Sequence, residues 1–264
     1  MLKQRKLDWA NMSNGGGYWS TEIAGVSEDK IVVRGHDLLQ DLVVQRSFIE
    51  MFYLLLTGKF PNKGQEAVLN ALFVVCAEHG ISPSSTLTRF VQGAGVPIQC
   101  AVGVGAMGFG DIQGGAGEKF CREICDLVKR VNASGDSIEN GAKQYVGQRK
   151  RIDGYGHPQH THGDPRPPVL FELAMREGVA GPHIRMTIAI EREIELQRKR
   201  KIPVNIDGAV GAICADLGID WRVSRACIVV PRTAGLFAHA LEEARREKGW
   251  RQIPLEVISY DGPC

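Results

Sequence analysis

The feature that most constrains the fold is a succession of helix-length apolar segments, each closed by glycine or proline. Residues 48–56 end at Thr57-Gly58, and residues 64–79 form the next segment of this kind. Apolar side chains recur at helical spacing along these segments, and repeated strand-turn-strand signals are missing from the sequence. We therefore predict an all-α protein with one short β-like stretch at residues 31–33.

The same pattern predicts helices along the rest of the chain. They cover residues 118–131, 136–146, 169–178, 183–200, 209–217, 222–229 and 233–248. Pro231 separates the last two, because proline lacks a backbone donor and disfavours a helix interior. A long loop at residues 148–168 carries basic side chains and histidines.

Composition excludes two classes of protein. The 264 residues carry a formal net charge of +2, too little for the basic face that bulk nucleic-acid binding requires. Apolar runs stay well short of the roughly 20 residues that cross a bilayer, and residues 1–14 are polar, without a signal-peptide core. The seven cysteines are odd in number, which argues against a disulfide framework. We expect a cytoplasmic protein that binds neither nucleic acid nor membranes.

The densest group of polar side chains lies in the loop 154–166. Glycines on either side of Tyr155 precede His157, and glycine lets the backbone approach a ligand with its amides free to donate. Histidine titrates near neutrality and serves as an acid or a base. Two other interpretations stay open, a solvated loop without function and a metal site. The candidate metal ligands are His157, His160, His162 and Asp164. Because no second cluster supplies remote ligands, we predict no metal.

A second candidate group is the carboxyl of Asp207, in the segment 203–208. Partial burial between apolar stretches would raise the pKa of this carboxyl and make it a usable base toward a carbon acid. The competing interpretation is a helix N-cap, a position that aspartate also prefers. Spacing alone favours the cap.

Three more polar residues stand beside predicted helix ends. Arg232 opens the helix that follows Pro231, a position that suits a carboxylate ligand, although a surface arginine has the same spacing. His79 and Gln113 lie where a helix gives way to a loop, and such a histidine can have a purely structural role.

Several segments of the chain, in this order, resemble the citrate synthase superfamily over residues 31–263. The matching motifs are Arg34-Gly35-His36-Asp37-Leu38, Glu50-Met51-Phe52-Tyr53-Leu54-Leu55, Glu78-His79-Gly80, Gly154-Tyr155-Gly156-His157, Asp164-Pro165-Arg166 and Asn205-Ile206-Asp207. The resemblance implies a helical homodimer, or a dimer of dimers. It also implies a large domain (1–117 and 224–264) and a small domain (118–223), with the active site in the cleft between them.

The resemblance also implies a role for each matched residue. Asp207 would exchange a proton with the α-carbon of an acyl-CoA, and His157 with an oxygen of the dicarboxylate partner. The residues implied to bind carboxylates are His79, Arg166 and Arg232, and those implied to lie against CoA are Arg149, Lys150, Arg151, Gly154, Tyr155 and Gly156. Arg251 would reach into the neighbouring subunit's site. The CoA thioester would be substrate or product, and no bound cofactor is implied.

Two departures from the family pattern narrow the expected function. The family's Leu-His-Gly-Gly-Ala-Asn-Glu segment carries a catalytic histidine, whereas Gln113 stands at that position here. Glutamine can donate an amide hydrogen bond but cannot exchange a proton, which argues against ordinary citrate synthesis. The chain is also short, and in this it is more similar to citryl-CoA lyase and to the lyase module of ATP citrate lyase.

We therefore expect a carbon–carbon lyase. It would cleave citryl-CoA, or a related 3-hydroxy-3-carboxyacyl-CoA, to acetyl-CoA and oxaloacetate or a related 2-oxo acid. The alternatives are a citrate synthase-like acyltransferase that condenses acetyl-CoA with a 2-oxo acid, a CoA- or dicarboxylate-binding protein without turnover, and a metalloenzyme that uses the histidine loop. His160 and His162 stand where the family has other side chains, so they bear on substrate preference.

Overall fold

The structure is a computed structural model that describes residues 19–157, 160, 163–249 and 251–263. Two compact units divide the chain, Met1–Leu69 and Asn70–Cys264. These units differ from the two domains that the family resemblance implies. The division into a large domain (1–117 and 224–264) and a small domain (118–223) stays a prediction.

The first unit begins with a three-stranded antiparallel sheet. Its strands are β1 (Ala24–Val26), β2 (Ile31–Val33) and β3 (His36–Asp37), in that order across the sheet. Only β2 is expected from the sequence, because Ile31-Val32-Val33 is β-branched throughout, whereas β1 contains alanine and glycine and β3 contains aspartate, which are depleted in strands. After β3, the side chain of Asp37 accepts two backbone hydrogen bonds and caps a single π-helical turn, Leu38–Leu42.

Helix α1 (Phe48–Thr57) completes the core of the first unit. At its start, the Ser47 hydroxyl accepts from the Glu50 N–H, and the Glu50 carboxylate accepts from the Ser47 N–H. This reciprocal pair satisfies two amides that the helix itself leaves without acceptors. The buried Leu54 packs against Val33 of the sheet.

Nine further α-helices follow in the described part of the chain. They are α2 (Lys63–Ala77), α3 (Pro83–Gly93), α4 (Ile98–Met107), α5 (Ala116–Ser134), α6 (Ile138–Gly147), α7 (Arg166–Arg176), α8 (Pro182–Arg198), α9 (Ile206–Asp216) and α10 (Ala226–Arg246), with 3-10 turns at Trp221–Val223 and Leu255–Val257. The predicted helical class is confirmed. Among the described residues, these helices include none with the length and apolar character to cross a membrane.

Helices α5 and α9 approach closely because glycines line their contact. A Cβ on Gly211 would lie 2.8 Å from the carbonyl oxygen of Gly117, which leaves room for glycine alone. A Cβ on Gly117 would lie 3.0 Å from the carbonyl oxygen of Asp207. Phe120 and Ile213 are fully buried nearby. The N-terminal ends of α5 and α9 therefore meet, with Asp207 against the start of α5.

Helix α10 is continuous, so the predicted break at Pro231 is wrong. Pro231 is buried inside the helix, where packing on α3 and α4 offsets the missing backbone N–H. The fully buried Leu236, for example, packs against Val102 of α4. In consequence Arg232 lies within a helix and not at the N-terminus that the sequence indicates.

Candidate active site

Two segments that are far apart in the sequence lie side by side in the second unit, residues 154–156 and 203–205. Tyr155 and Val204 form an isolated antiparallel bridge. Backbone hydrogen bonds of 2.8 and 2.9 Å flank it and join the same two segments. This short ladder brings the loop 154–166, the histidine loop, next to the segment that carries Asp207.

A pair of glycines sets how closely the two segments approach. Gly154 has a φ of +84°, and a Cβ there would lie 2.8 Å from the Cα of Gly208. A Cβ on Gly208 would overlap the carbonyl oxygen of Gly154. Beside this contact the Tyr155 hydroxyl donates to the Thr187 carbonyl oxygen at 2.8 Å, which fastens the histidine loop to α8. The glycines and the tyrosine therefore fix the position of the loop.

Asp207 lies in the first turn of α9 and is partly buried, as predicted. The N-cap is Asn205, whose side-chain oxygen accepts from the Gly208 N–H at 3.1 Å, so the interpretation of Asp207 as the cap is wrong. Burial raises the pKa of Asp207 to about 6, against the opposing effects of the Arg166 charge and of a hydrogen bond from the Gly117 N–H. Such a carboxyl group exchanges protons near neutral pH.

Three histidine rings meet at the histidine loop. The ring centroid of His79, which follows α2, lies 5.8 Å from that of His157 and 5.4 Å from that of His160. The Nε2 atoms of His79 and His160 are 3.1 Å apart, so they share one hydrogen. The His160 N–H donates to Nδ1 of His157 at 3.1 Å, which leaves the ring proton of neutral His157 on Nε2.

Two of these three histidines, His79 and His157, have lowered pKa values. Burial lowers the pKa of both His79 and His157, and the positive charge of Arg166 lowers both pKa values further, whereas Asp164 opposes the shift. Both rings are therefore mainly neutral at pH 7. A neutral ring has one donor and one acceptor nitrogen, which suits proton transfer with a hydroxyl group.

Arg166 and Asp164 form a bidentate ion pair. The Nε and Nη2 atoms of Arg166 each donate to a different carboxylate oxygen of Asp164, both at 2.8 Å. Asp164 is buried and also accepts from the Ile206 N–H at 2.9 Å, so it ties the histidine loop to α9. These bonds occupy the carboxylate that the sequence offers as a metal ligand, and His162 lies outside the described residues.

Arg232 reaches the site from inside α10. It is buried, and its Nε donates to the Cys76 carbonyl oxygen at 2.8 Å. Burial lowers the pKa of this guanidinium while the charge of Glu78 opposes the shift. Arginine stays protonated all the same, so Arg232 brings a partly desolvated positive charge to the site.

A cleft of about 620 Å³ gathers these groups. Its lining includes ten of the predicted site residues: His79, Gln113, Arg151, Gly154, Tyr155, Gly156, His157, Arg166, Asp207 and Arg232. Apolar side chains, among them Phe109 and Ile228, form part of the same wall. The volume falls in the usual range for a small-molecule site.

Gln113 lies in the turn before α5, at the edge of the cleft. Its Oε1 atom is buried and has no hydrogen-bond partner among the described residues. A buried amide oxygen without a donor is unfavourable unless a ligand supplies one. Gln113 therefore offers a ligand both an unused acceptor and an amide donor.

Two of the predicted CoA-binding residues do not line the cleft. The Arg149 guanidinium lies 3.9 Å from the ring centroid of Tyr145, and its Nε is 3.6 Å from a carboxylate oxygen of Glu123. Lys150 is exposed. Both stand just before Arg151, whose exposed side chain does line the cleft.

Arg251 is held within its own chain. Its Nε and Nη2 atoms donate to the two carboxylate oxygens of Glu243 at 2.6 and 2.9 Å, and Nη2 also donates to Glu247 at 2.9 Å. Glu243 is buried and accepts from Arg89 as well, at 2.8 Å. The reach of Arg251 into a neighbouring site stays a prediction.

Two features of the site are not predicted from the sequence. Asn205 links the segments by donating from its side chain to the Gly156 carbonyl oxygen, and an asparagine three residues before Gly208 is the capping signal that could have shown it. The contact of His79 with His160 spans 81 residues and has no local signal. The expectation that no remote ligand joins the histidine loop is therefore wrong.

Comparisons with known proteins add a family and several similar structures. The model of the citrate synthase C-terminal domain matches residues 62–253. Glyoxysomal citrate synthase of Cucurbita maxima is 30% identical over 187 residues, which are 68% of this chain and 35% of that protein. The chain spans between 35% and 54% of the length of such curated relatives.

Several solved structures resemble the chain over nearly its whole length, among them a citryl-CoA lyase and an ATP citrate lyase. The citryl-CoA lyase of Hydrogenobacter thermophilus has a TM-score of 0.85 and 32% identity, and the match covers 94% of this chain and 96% of that one. The ATP citrate lyase of Methanothrix soehngenii, in complex with citrate and coenzyme A, has a TM-score of 0.80 and 20% identity. That match covers all of this chain and 46% of the other, and at this identity it shows the fold alone.

Proposed function

The chain belongs to the citrate synthase family, and we propose that within this family it is a carbon–carbon lyase. Its substrate would be citryl-CoA or a related 3-hydroxy-3-carboxyacyl-CoA, and its products acetyl-CoA and oxaloacetate or a related 2-oxo acid. The observation that carries the proposal is the cleft itself, in which a carboxyl group with a pKa of about 6 stands with imidazoles and two arginines.

The charges of the cleft suit a substrate with several carboxylates. Arg166 and Arg232 supply two guanidinium groups, and arginine binds carboxylates through paired hydrogen bonds. Arg166 is already paired with Asp164, which orients it. Arg232 donates from Nε to a backbone carbonyl, and its terminal nitrogens have no hydrogen-bond partner among the described residues, so they can bind a ligand. His79 adds a neutral hydrogen-bonding ring.

Cleavage would begin at His157. In this step Nε2 of neutral His157, in the tautomer whose ring proton lies on Nδ1, accepts the proton of the substrate's tertiary hydroxyl. The adjacent carbon–carbon bond breaks, and the bonding electrons pass to the acetyl-CoA enolate. In the reverse condensation the same nitrogen, now carrying the proton, donates to the oxo group. The structure has the other tautomer, with the proton on Nε2, so the cleavage requires this proton to move to Nδ1 and the hydrogen bond from the His160 N–H to break.

Asp207 would finish the reaction. The enolate needs a proton on carbon to become acetyl-CoA, and a carboxyl group with a pKa of about 6 is protonated often enough near neutral pH to supply it. The close glycine contact of α5 with α9 holds this carboxyl at the N-terminal ends of both helices. The Gly117 amide that donates to Asp207 would then stabilise the carboxylate that remains.

Gln113 would act on the thioester oxygen. Its amide N–H group can donate to the oxygen that becomes negative in the enolate, a form of stabilisation that requires no proton transfer. This role is compatible with cleavage, in which the thioester stays intact, and it does not serve the hydrolysis that releases free CoA. The CoA moiety would lie against residues 149–157, as the family resemblance implies. Arg151 lines the cleft there, and Arg149 and Lys150 directly precede it in the sequence.

The similarity to the lyase of H. thermophilus supports the direction of the reaction. That match has 32% identity and covers 94% of this chain. Similarity to the lyase together with Gln113 in place of the histidine is the combination expected for cleavage.

The decisive test is an assay with citryl-CoA and a panel of related hydroxyacyl-CoA thioesters. Oxaloacetate would be followed by its reduction with malate dehydrogenase and NADH. We expect turnover in the wild-type chain and a loss of at least about 100-fold in kcat for Asp207→Asn. Asp126→Asn, an exposed carboxyl on α5, is the matched control and should keep its activity. Failure to release a 2-oxo acid from any of the thioesters would eliminate the lyase.

The second candidate is the condensation of acetyl-CoA with a 2-oxo acid, favoured by the 30% identity to a citrate synthase. It predicts free thiol when acetyl-CoA and oxaloacetate are mixed with the protein. We expect none, because Gln113 cannot exchange a proton. Rapid thiol release without any cleavage of citryl-CoA would reverse the assignment.

A further inference from the structure

The cluster of His79, His157 and His160 has the make-up of a metal site. One ring nitrogen from each histidine can be chosen so that all three lie within 4.8 Å of one another. In a tetrahedral zinc site with bonds of about 2.0–2.1 Å, neighbouring ligand atoms are about 3.3 Å apart. The Nε2 atoms of His79 and His160, at 3.1 Å, already have that separation, so the ring of His157 would need to move inward.

We propose that His79, His157 and His160 form a binding site for one divalent transition-metal ion of the Zn²⁺ class. Three imidazoles on an irregular loop and on a remote helix end make a ligand set that completes a tetrahedron with one water or carboxylate oxygen. All three rings are half-buried, so an ion can reach them from solvent. The metal binding does not rest on the proposed function.

The neighbours of the cluster decide which ions it accepts. Arg166 and Arg232 line the same cleft as His79 and His157, and their charge opposes a cation that is held by electrostatics alone. Imidazole nitrogens suit zinc, copper, nickel and cobalt, whereas magnesium and calcium prefer oxygen ligands. Asp164, a carboxylate that lines a smaller pocket with His157 and His160, is committed to Arg166 and to a backbone amide. The site should therefore select transition metals strongly over magnesium.

Coordination changes the hydrogen bonds of the loop. Ligation through either ring nitrogen of His157 ends the hydrogen bond that Nδ1 accepts from the His160 N–H, and ligation by His79 and His160 replaces the hydrogen they share. Bonds from the three histidines to the ion would thus replace these hydrogen bonds. An ion on His157 would also withhold that ring from the proposed proton transfer, so Zn²⁺ should inhibit the lyase; this last consequence rests on the proposed function.

The test is a titration of the metal-free, full-length protein with Co²⁺, followed by visible d–d absorption, with Zn²⁺ and Mg²⁺ as competitors. We expect one Co²⁺ per chain, displaced by Zn²⁺ and left in place by Mg²⁺. The variants His160→Gln and His79→Gln should each bind at least about tenfold more weakly. His36→Gln, which removes a histidine from the first unit, should bind like the wild type.

Each result bears on the site alone, because absorption does not depend on turnover. Thermal melts of the variants establish that they are folded before they are titrated. Absence of stoichiometric Co²⁺ binding, or unchanged binding in folded His160→Gln, overturns the metal site. If the lyase assay fails while Co²⁺ binds as described, the proposed function is lost and the metal site stands.

Discussion

The ionisation of Asp207 predicts how the reaction depends on pH. Burial raises the pKa of this carboxyl to about 6, so its protonated form, which supplies the proton in cleavage, declines as pH rises through about 6. The carboxylate form, which removes a proton from acetyl-CoA, increases over the same range. We expect kcat for cleavage to fall above pH 6 and the exchange of acetyl-CoA α-protons with deuterium to rise, both with midpoints near 6.

The measurement compares the two rates in one buffer series from pH 4.5 to 8.5, with citryl-CoA for cleavage and acetyl-CoA in D₂O for exchange. Opposite slopes are the signature of one carboxyl that works as acid in one direction and as base in the other. Parallel profiles, or a midpoint near 4 for exchange, would contradict the role of Asp207.

The same pKa shift predicts the stability of Asp207→Asn. The carboxyl has a higher pKa in the folded chain than the value of 3.8 expected when unfolded, so the folded state binds the proton more tightly. Its contribution to the free energy of unfolding is therefore full below pH 3.8 and is lost as pH rises to 6. A neutral asparagine escapes this loss, and the variant should be more stable than the wild type at pH 8 by up to about 3 kcal/mol.

Urea unfolding at pH 8 and at pH 4 measures this difference. The gain should be much smaller at pH 4, where the wild-type carboxyl is protonated in the folded chain and about half ionised in the unfolded chain, so most of its contribution is still present. Asp126→Asn, which changes an exposed carboxyl on α5, should not raise the free energy of unfolding at either pH. A loss of stability at pH 8 would mean that the charged form of Asp207 is stabilised by its surroundings and not strained by burial.

For single residues, the sequence predicts which side chains line the cleft better than what each one does in the fold. The types and spacing of His157 and Asp207 are visible in the chain, but local capping rules assign the cap to Asp207, while Asn205 takes it. The pairing of Asp164 with Arg166 and the meeting of His79 with His160 depend on tertiary contacts. Periodicity along one segment carries no information about them.

At the scale of elements, the approach of the loop to α9 gives a prediction for Gly154→Ala. The backbone at Gly154 has a φ of +84°, and a Cβ would meet Gly208 at 2.8 Å, so alanine suffers both an unfavourable conformation and a clash. Gly218→Ala is the matched control: Gly218 has a φ of +72°, but nothing lies within 4 Å of its added Cβ. We expect a cost of about 1 kcal/mol for the control and at least about 2 kcal/mol for Gly154→Ala.

Urea unfolding measures the loss of stability in both variants. The cleavage assay then shows whether the substitution also displaces His157. Because residues 154–156 carry His157 on their C-terminal side, Gly154→Ala should also lower kcat/KM, while Gly218→Ala should leave it unchanged. Equal destabilisation by the two substitutions would show that the loop yields to the side chain and that the close contact is not required.

The helices illustrate where the sequence predicts the elements and where it fails. The segment 48–56 is predicted within one residue of α1, because glycine after Thr57 ends the helix in the left-handed conformation. Pro231 misleads, since the rule against proline in helices is local while α10 is held by buried contacts along its length. The strands β1 and β3 escape prediction because they lack the β-branched run of β2 and contain alanine, glycine or aspartate, which are depleted in strands.

At the scale of the whole molecule, the ordered motifs predict the fold more reliably than any single segment does. The family is shown by a match over residues 62–253, and the helical class follows from the same apolar segments that the sequence displays. Cytoplasmic location, the division at residues 118–223 and the dimer stay predictions. The dimer matters most, because it decides whether the cleft of one chain is complete.

Arg251 can be used to test whether the cleft of one chain needs a residue from a second subunit. In the described chain its guanidinium is held by Glu243 and Glu247 and does not line the cleft, so its predicted role requires the site of a second subunit. We expect a homodimer, or a dimer of dimers, by light scattering coupled to gel filtration. We expect Arg251→Ala to lose cleavage activity although the substituted side chain is absent from its own chain's cleft.

Mixed dimers of Arg251→Ala and Asp207→Asn then distinguish the two possibilities. If Arg251 serves the neighbouring cleft, each mixed dimer has one site with an intact Asp207 and an arginine from the partner, so co-refolding two inactive variants should restore about a quarter of the wild-type activity. If Arg251 serves its own chain, by breaking its pairs with Glu243 and Glu247, neither site of the mixed dimer is intact. The mixture then stays inactive, and the shared site is excluded.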